Sequence, residues 1–403
     1  MTYFMRVSIY FAYLILISVG TSMTVHAEYR LKDYRANNYA VPPSQRALWS
    51  AAGIANLGNL VAFHSRADQI FSIKPVANSA ESSKLVSAVE EIPPFSLSLF
   101  RKLTLDEWMA SQPVTGLLVM KGNSVLYERY QYERTAQDKF LGNSMSKSVV
   151  GMLVGIALQE KTIESIDDVA EKYEPRLKGH PYGATTIRSL LTMTSGMSYS
   201  ESKDVSELWG RTAGQWGNLE LQSVKYLRLR AHPQGQHFNY NSVDTQVLTL
   251  VLIGATGKSL SEYTSEKLWM PIGAESPAFW ITDDVGVEAG FVGFNATLRD
   301  WGRLGLLWAN LGAYGGKQIV SSSYMAESRA WKLSGYGHHV WLTGKDTGQV
   351  AFAGVRGQSI FVDPVSKLVM VITAVREQEY AANTDYDNER RAIWNHILAK
   401  YKN

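Results

Sequence analysis

Apolar and polar positions alternate in two different ways along this chain, and the change of period divides it. Leu117-Leu118-Val119-Met120 and Val125-Leu126-Tyr127 flank Lys121-Gly122-Asn123-Ser124. Two β-prone runs around a Gly-Asn turn predict a hairpin. From Ser146 to Gln159 apolar residues dominate, with Gly151 and Gly155 one turn apart. That pattern predicts a buried helix lying close against its neighbours.

The middle of the chain, about 160–330, reads as mostly helical: Thr186–Leu191, Leu219–Leu229, Asp244–Ile253, Leu260–Leu268 and Thr297–Leu311, each bounded by Gly, Pro or a capping residue. Strands are expected again at Val340–Leu342, Val350–Ala353, Gln358–Asp363 and Leu368–Ala374, and a helix closes the chain over 387–401. Strands at both ends of a helical middle predict an α/β (α+β) domain. One antiparallel sheet is built from the two ends, helices flank it, and an all-helical lobe is inserted. Residues 28–100 carry Pro42-Pro43, a polar stretch at 77–83 and Pro93-Pro94; they read as an irregular extension wrapped on a main domain of 101–403.

The first residues bear on destination. Arg6 precedes an apolar run from Val7 to Val19, then Gly20-Thr21-Ser22 and Val25-His26-Ala27. A secretory signal, residues 1–27, cleaved after Ala27 is expected, which makes the protein exported, periplasmic or secreted, with no stable membrane span after cleavage. An uncleaved anchor is the alternative, but Gly20 to Ser22 breaks the run short of the twenty or so apolar residues a span needs.

Composition adds exclusions. With no cysteine, thiol chemistry and disulfides are ruled out. A net charge of +3 without a basic stripe gives nucleic acid no footprint. Eleven tryptophans and twenty-one tyrosines suit walls that bind partly apolar ligands.

Candidate chemistry sits at the start of the buried helix. Ser144 and Lys147 are spaced i, i+3 and share a helix face. A serine hydroxyl needs a base to become a nucleophile, and a lysine whose pKa is lowered by burial can serve. Ser200 and Lys203 repeat the spacing in a polar stretch that reads as solvated loop. Tyr240, after the turn-rich Pro233–Phe238 and before another buried helix, is a candidate proton shuttle; a packing tyrosine is the plainer alternative. His338-His339 on a strand would point to opposite faces, which argues against a metal site. Gly257-Lys258-Ser259 lacks the first glycine of a phosphate loop and reads as a helix C-cap. Gly142-Asn143-Ser144-Met145-Ser146 lacks the last glycine of a nucleophile elbow.

In order, Ser144-Met145-Ser146-Lys147, "TTIRSLLTMTSGM", "FNYNSVDTQVL", "FNATLRDWGRLGLLW" and "AGVRGQSIFVDP" resemble the class C β-lactamase-like serine hydrolases, closest to the 6-aminohexanoate-dimer hydrolase and esterase branch. The resemblance implies an acylated Ser144, with Lys147 and Tyr240 moving its proton, and requires no metal or organic cofactor. β-Lactamases of this kind carry Tyr-x-Asn where this chain has Tyr240-Asn241-Ser242, and Lys-Thr-Gly on an edge strand where it has Phe352-Ala353-Gly354. The strand and its glycine imply an oxyanion hole from the backbone N–H groups of Ser144 and Val355. Lys345-Asp346-Thr347-Gly348 lies too early to be the third motif and reads as a hairpin turn.

Three functions fit these residues: a hydrolase of small linear amides or carboxyl esters, a peptidoglycan-directed D,D-peptidase or D-aminopeptidase or a β-lactamase, and a non-catalytic acyl-binding protein of the same fold. Loss of the third-motif lysine weakens the second, although Arg356 could substitute for it. Trp341 and Tyr336 are candidates for the acyl pocket wall, with ordinary packing the equally good alternative.

Overall fold

The computed structural model describes residues 67–98, 101–202, 204, 229–330, 333–376 and 384–402. The expected signal, the first part of the extension, Lys203 and most of the expected helix over 219–229 lie outside these residues.

The elements used below are, in chain order, β1 (Ile73–Val76), β2 (Val86–Ser87), β3 (Val114–Lys121), β4 (Ser124–Tyr130), β5 (Phe140–Leu141), α1 (Met145–Glu160), α2 (Ile187–Leu191), α3 (Ser242–Thr256), α4 (Leu260–Thr264), β6 (Ala278–Ile281), β7 (Phe294–Ala296), α5 (Leu298–Ala309), β8 (Trp341–Leu342), β9 (Val350–Gly354), β10 (Gln358–Asp363), β11 (Leu368–Ala374) and α6 (Thr384–Tyr401).

Among the described residues one sheet has seven strands in the order β8-β9-β10-β11-β3-β4-β2. The two ends of the chain meet where β3 pairs with β11, Leu117 opposite Ile372. All neighbours are antiparallel except β2, which joins β4 in parallel. The hairpin turns at Gly122, whose φ of 54° suits glycine.

Strands β10 and β11 are buried along their whole length because both faces of the sheet are covered. Alternation sends Leu118 and Met120 into one core and Leu117 and Val119 into the other. Helix α5 covers the first face at close range: a Cβ at Gly302 would lie 2.6 Å from the Met120 sulfur. Helix α6 covers the second, with Trp394 stacked on Phe361 at 5.7 Å.

Among the described residues between β5 and β7 the main elements are the helices α1 to α4, and β1-β6-β7-β5 form a separate four-stranded sheet. Helix α1 is buried from Met145 to Ala157. Its two glycines fit the expected close packing: a Cβ at Gly151 would lie 2.9 Å from the His338 carbonyl, and one at Gly155 2.5 Å from the Tyr324 ring.

The segment 67–98 is docked on this body. Strand β1 pairs with β6. The N–H of Ser83 donates to the Gly273 carbonyl (2.8 Å). Among the described residues, no helix is long and apolar enough to cross a membrane.

Candidate active site

Helix α1 begins where the turn Gly142-Asn143-Ser144 leaves β5. Asn143 adopts a left-handed conformation (φ 49°) and its side-chain amide donates to the Val355 carbonyl at 3.2 Å. Ser144 is the N-cap residue, yet its hydroxyl caps no helix N–H. The hydroxyl is therefore left for other chemistry. The Ser144 N–H precedes the first helical residue, so it has no intrahelical acceptor and lies at the positive end of the helix.

One turn on, Lys147 is 1% exposed. Its Nζ lies 3.0 Å from each of three oxygens: Ser144 Oγ, Ser242 Oγ and the Phe291 carbonyl. Burial lowers its pKa from 10.5 to about 8, with the Glu201 carboxylate acting in the opposite direction. The amine is thus neutral over an accessible pH range while in contact with Ser144.

The Tyr240 ring faces the same amine, its centroid 5.0 Å from Nζ. Tyr240 stacks on Trp341 (5.5 Å, 21°) and meets Tyr336 edge-on (5.9 Å, 90°). Tyr336 and Trp341 pack T-shaped at 4.8 Å, and Phe238 extends the wall 5.5 Å from Tyr336. Immediately after Tyr240, the Asn241 side chain caps α3 by accepting from the Val243 N–H at 2.8 Å. Tyr240 is held between a capped helix and an aromatic wall.

The opposite side of the site is β9. Gly354 lies against the serine turn so closely that a Cβ there would be 2.4 Å from the Gly142 carbonyl. Val355 follows it. β9 pairs with β8 only through Val350 and Ala351, so among the described residues the stretch Phe352-Ala353-Gly354 lies along a sheet edge as expected.

Phe352, where the resemblance puts a lysine, is fully buried and packs T-shaped on Trp308. Arg356, considered as a substitute cation, donates to the Arg376 carbonyl at 3.1 Å.

Two residues at the centre of the site were not singled out from sequence. Ser242 is two positions after Tyr240 and touches Lys147 directly. Its N–H and hydroxyl both donate to Glu201, at 3.1 and 2.6 Å. Glu201 lies in the stretch read as solvated loop; it is half-buried, next to the buried Tyr199. The Tyr-x-Ser spacing was a usable signal for Ser242. No spacing marks Glu201, which only the fold brings to the site.

His338 and His339 also differ from expectation. They sit in a bend before β8 rather than on a strand, and both are buried. His339 Nε2 is 3.1 Å from Thr245 Oγ1, and burial together with the nearby Lys147 charge lowers its pKa to about 3. No group of three or more metal-ligating side chains occurs among the described residues. Gly257 is the C-cap of α3 at φ 66°, and Gly348 ends a turn between β8 and β9.

Residues 104–393 match the family model described as Beta-lactamase. This chain belongs to the β-lactamase family. As a β-lactamase-family hydrolase it has a relative in the 6-aminohexanoate-dimer hydrolase of Paenarthrobacter ureafaciens, 27% identical over 291 residues, 66% of this chain and 74% of the other. A Bacillus anthracis protein provisionally named a 6-aminohexanoate-dimer hydrolase superposes with a TM-score of 0.76 at 24% identity, covering 85% of this chain and 95% of its own. EstCE1, a hydrolase with promiscuous acyltransferase activity, superposes with a TM-score of 0.56 at 16% identity, covering 72% and 96%. These two structural likenesses show the β-lactamase fold.

Proposed function

We propose that this β-lactamase-family chain is an exported serine hydrolase that cleaves linear amide or carboxyl ester bonds through an acyl-enzyme on Ser144. The observation that carries the reading is the 3.0 Å contact between Ser144 Oγ and the buried amine of Lys147.

In this mechanism neutral Lys147, with Tyr240, takes the Ser144 proton as Oγ attacks the substrate carbonyl. The N–H groups of Ser144 and Val355 receive the oxyanion. Tyr240 then protonates the departing amine or alkoxide, and water releases the acyl group. The apolar wall of Phe238, Tyr240, Tyr336 and Trp341 favours an extended, partly apolar substrate. The name of the Paenarthrobacter relative supports the amide half of this reading, and Arg6 with the apolar run to Val19 supports export.

A peptidase that reads a free carboxylate fits less well, because Phe352 replaces the expected cation and Arg356 is turned to a backbone carbonyl. A purely binding role leaves the Ser144–Lys147 contact without a use.

The test is intact-mass spectrometry after incubation with a fluorophosphonate, followed by turnover of a p-nitrophenyl ester panel. One adduct mapping to Ser144, absent in Ser144→Ala, together with ester turnover, is the expected result. Full turnover by Ser144→Ala on the same ester would overturn the reading.

A further inference from the structure

Lys147 Nζ has three oxygen neighbours at equal distance, and a neutral amine has two protons and one lone pair. Which neighbour meets the lone pair decides whether the amine can act as a base. The Phe291 carbonyl can only accept, so it takes one proton. Ser242 is a hydroxyl and could either accept from the amine or donate into its lone pair. Its single proton is already given to Glu201 at 2.6 Å, and its backbone N–H is given to the other oxygen of the same carboxylate at 3.1 Å. The Ser242 oxygen must therefore accept the second amine proton. The one remaining direction on Nζ faces Ser144.

We propose that Glu201 is a positioning residue that holds the Ser242 proton away from Lys147, so that the lysine lone pair is aimed at the Ser144 hydroxyl. The proposal rests on the reading of Ser144 as nucleophile. Without the carboxylate, the Ser242 hydroxyl can turn and donate to Lys147, competing with Ser144 for the same lone pair. Glu201 hydrogen-bonds Ser242 rather than Ser144 or Lys147, and its charge acts on Lys147 from beyond that hydroxyl.

The charged and titratable groups that face Lys147 are Glu201 from the 201–204 turn, His339 from the bend before β8, and Tyr240 from the approach to α3. His339 is neutral above about pH 3, so it contributes no change across the working range. Glu201 raises the Lys147 pKa; replacing it by glutamine therefore moves the acid limb of the rate profile to lower pH.

The experiment compares wild type, Glu201→Gln, Ser242→Ala and the double variant by the pH dependence of fluorophosphonate labelling at Ser144, in which Oγ is phosphonylated and fluoride leaves, with thermal unfolding alongside. Glu201→Gln is expected to slow labelling by roughly 10- to 100-fold, less than the ~100- to 10,000-fold that a general base supplies in full, and to shift the acid limb downward. In the Ser242→Ala background the same change is expected to add little further loss in rate. A Glu201→Gln protein of wild-type rate and limb, or equal losses in both backgrounds, would overturn the proposal. Absence of any adduct on wild type would instead defeat the nucleophile assignment, which keeps the two failures apart.

Discussion

At the scale of single residues, Lys147 holds a conflict between stability and chemistry. Its folded-state pKa of about 8 lies below the unfolded value of 10.5. Between those values the unfolded chain binds more protons, so stability rises with pH across that window, and the penalty is fully present below pH 8. Lys147→Met, which removes the charge while keeping the length, is expected to stabilise the protein at pH 7 by up to about 3 kcal/mol. The same variant is expected to lose turnover altogether. Thermal unfolding at pH 7 and above pH 10.5 checks this, because the gain should shrink at the higher pH. For wild type, kcat/KM is expected to rise through about pH 8 as Lys147 deprotonates; a profile flat from pH 6 to 9 would argue against Lys147 as base.

At the scale of elements, the site depends on how closely β9 approaches the turn before α1. Gly354→Ala places a methyl group 2.4 Å from the Gly142 carbonyl, and backbone cannot step aside as a flexible side chain can. The strand must move outward, taking Val355 with it. A displacement near 1 Å can cost about 100-fold in rate, so kcat/KM for an ester is expected to fall by that order while the unfolding temperature changes much less. Steady-state kinetics with calorimetry separates the two.

The elements themselves differ in how clearly the sequence announces them. Strands β10 and β11 were legible because unbroken apolar runs end at turn residues, and Thr186, Thr297 and Gly257 marked helix ends through their own capping chemistry. The helix expected over Leu260–Leu268 is present, but only α4 is α-helical: from Ser265 to Trp269 the chain continues as a π-helix, a change of pitch that no residue pattern announces. Strand β1 was not legible, because Pro75 and largely exposed positions give it no strand signature. Its conformation is imposed by its partner β6. Glu201 was hidden for a related reason, since a polar residue among polar neighbours reads as solvated until tertiary structure supplies its partner.

At the scale of the whole molecule, the N-terminal segment is part of the fold. Arg303, 1% exposed, donates from Nε to Ser83 Oγ at 2.9 Å and from Nη2 to the Ser83 carbonyl at 2.7 Å. Removing residues through 88 would take away the Nε partner while Nη2 keeps Glu275 at 3.1 Å, at about 1–3 kcal/mol for the unsatisfied group, and would uncover the edge of β6. Such a truncation is expected to unfold at markedly lower temperature and to self-associate. Size-exclusion chromatography and thermal unfolding would show it, and a truncated protein as stable and monodisperse as the full chain would contradict it.

The contact between Asn143 and Val355 spans 212 positions of sequence. The serine turn and the strand facing it are made by distant stretches of chain, and between them lies nearly all of the inserted lobe. Contacts of such separation form late, after the entropy of closing a long loop has been met. During refolding, helical signal is therefore expected to return before any reactivity at Ser144. A partly folded or nascent chain would carry Ser144, the proposed nucleophile, and its lysine yet remain inert, acquiring hydrolytic power only when the sheet has closed.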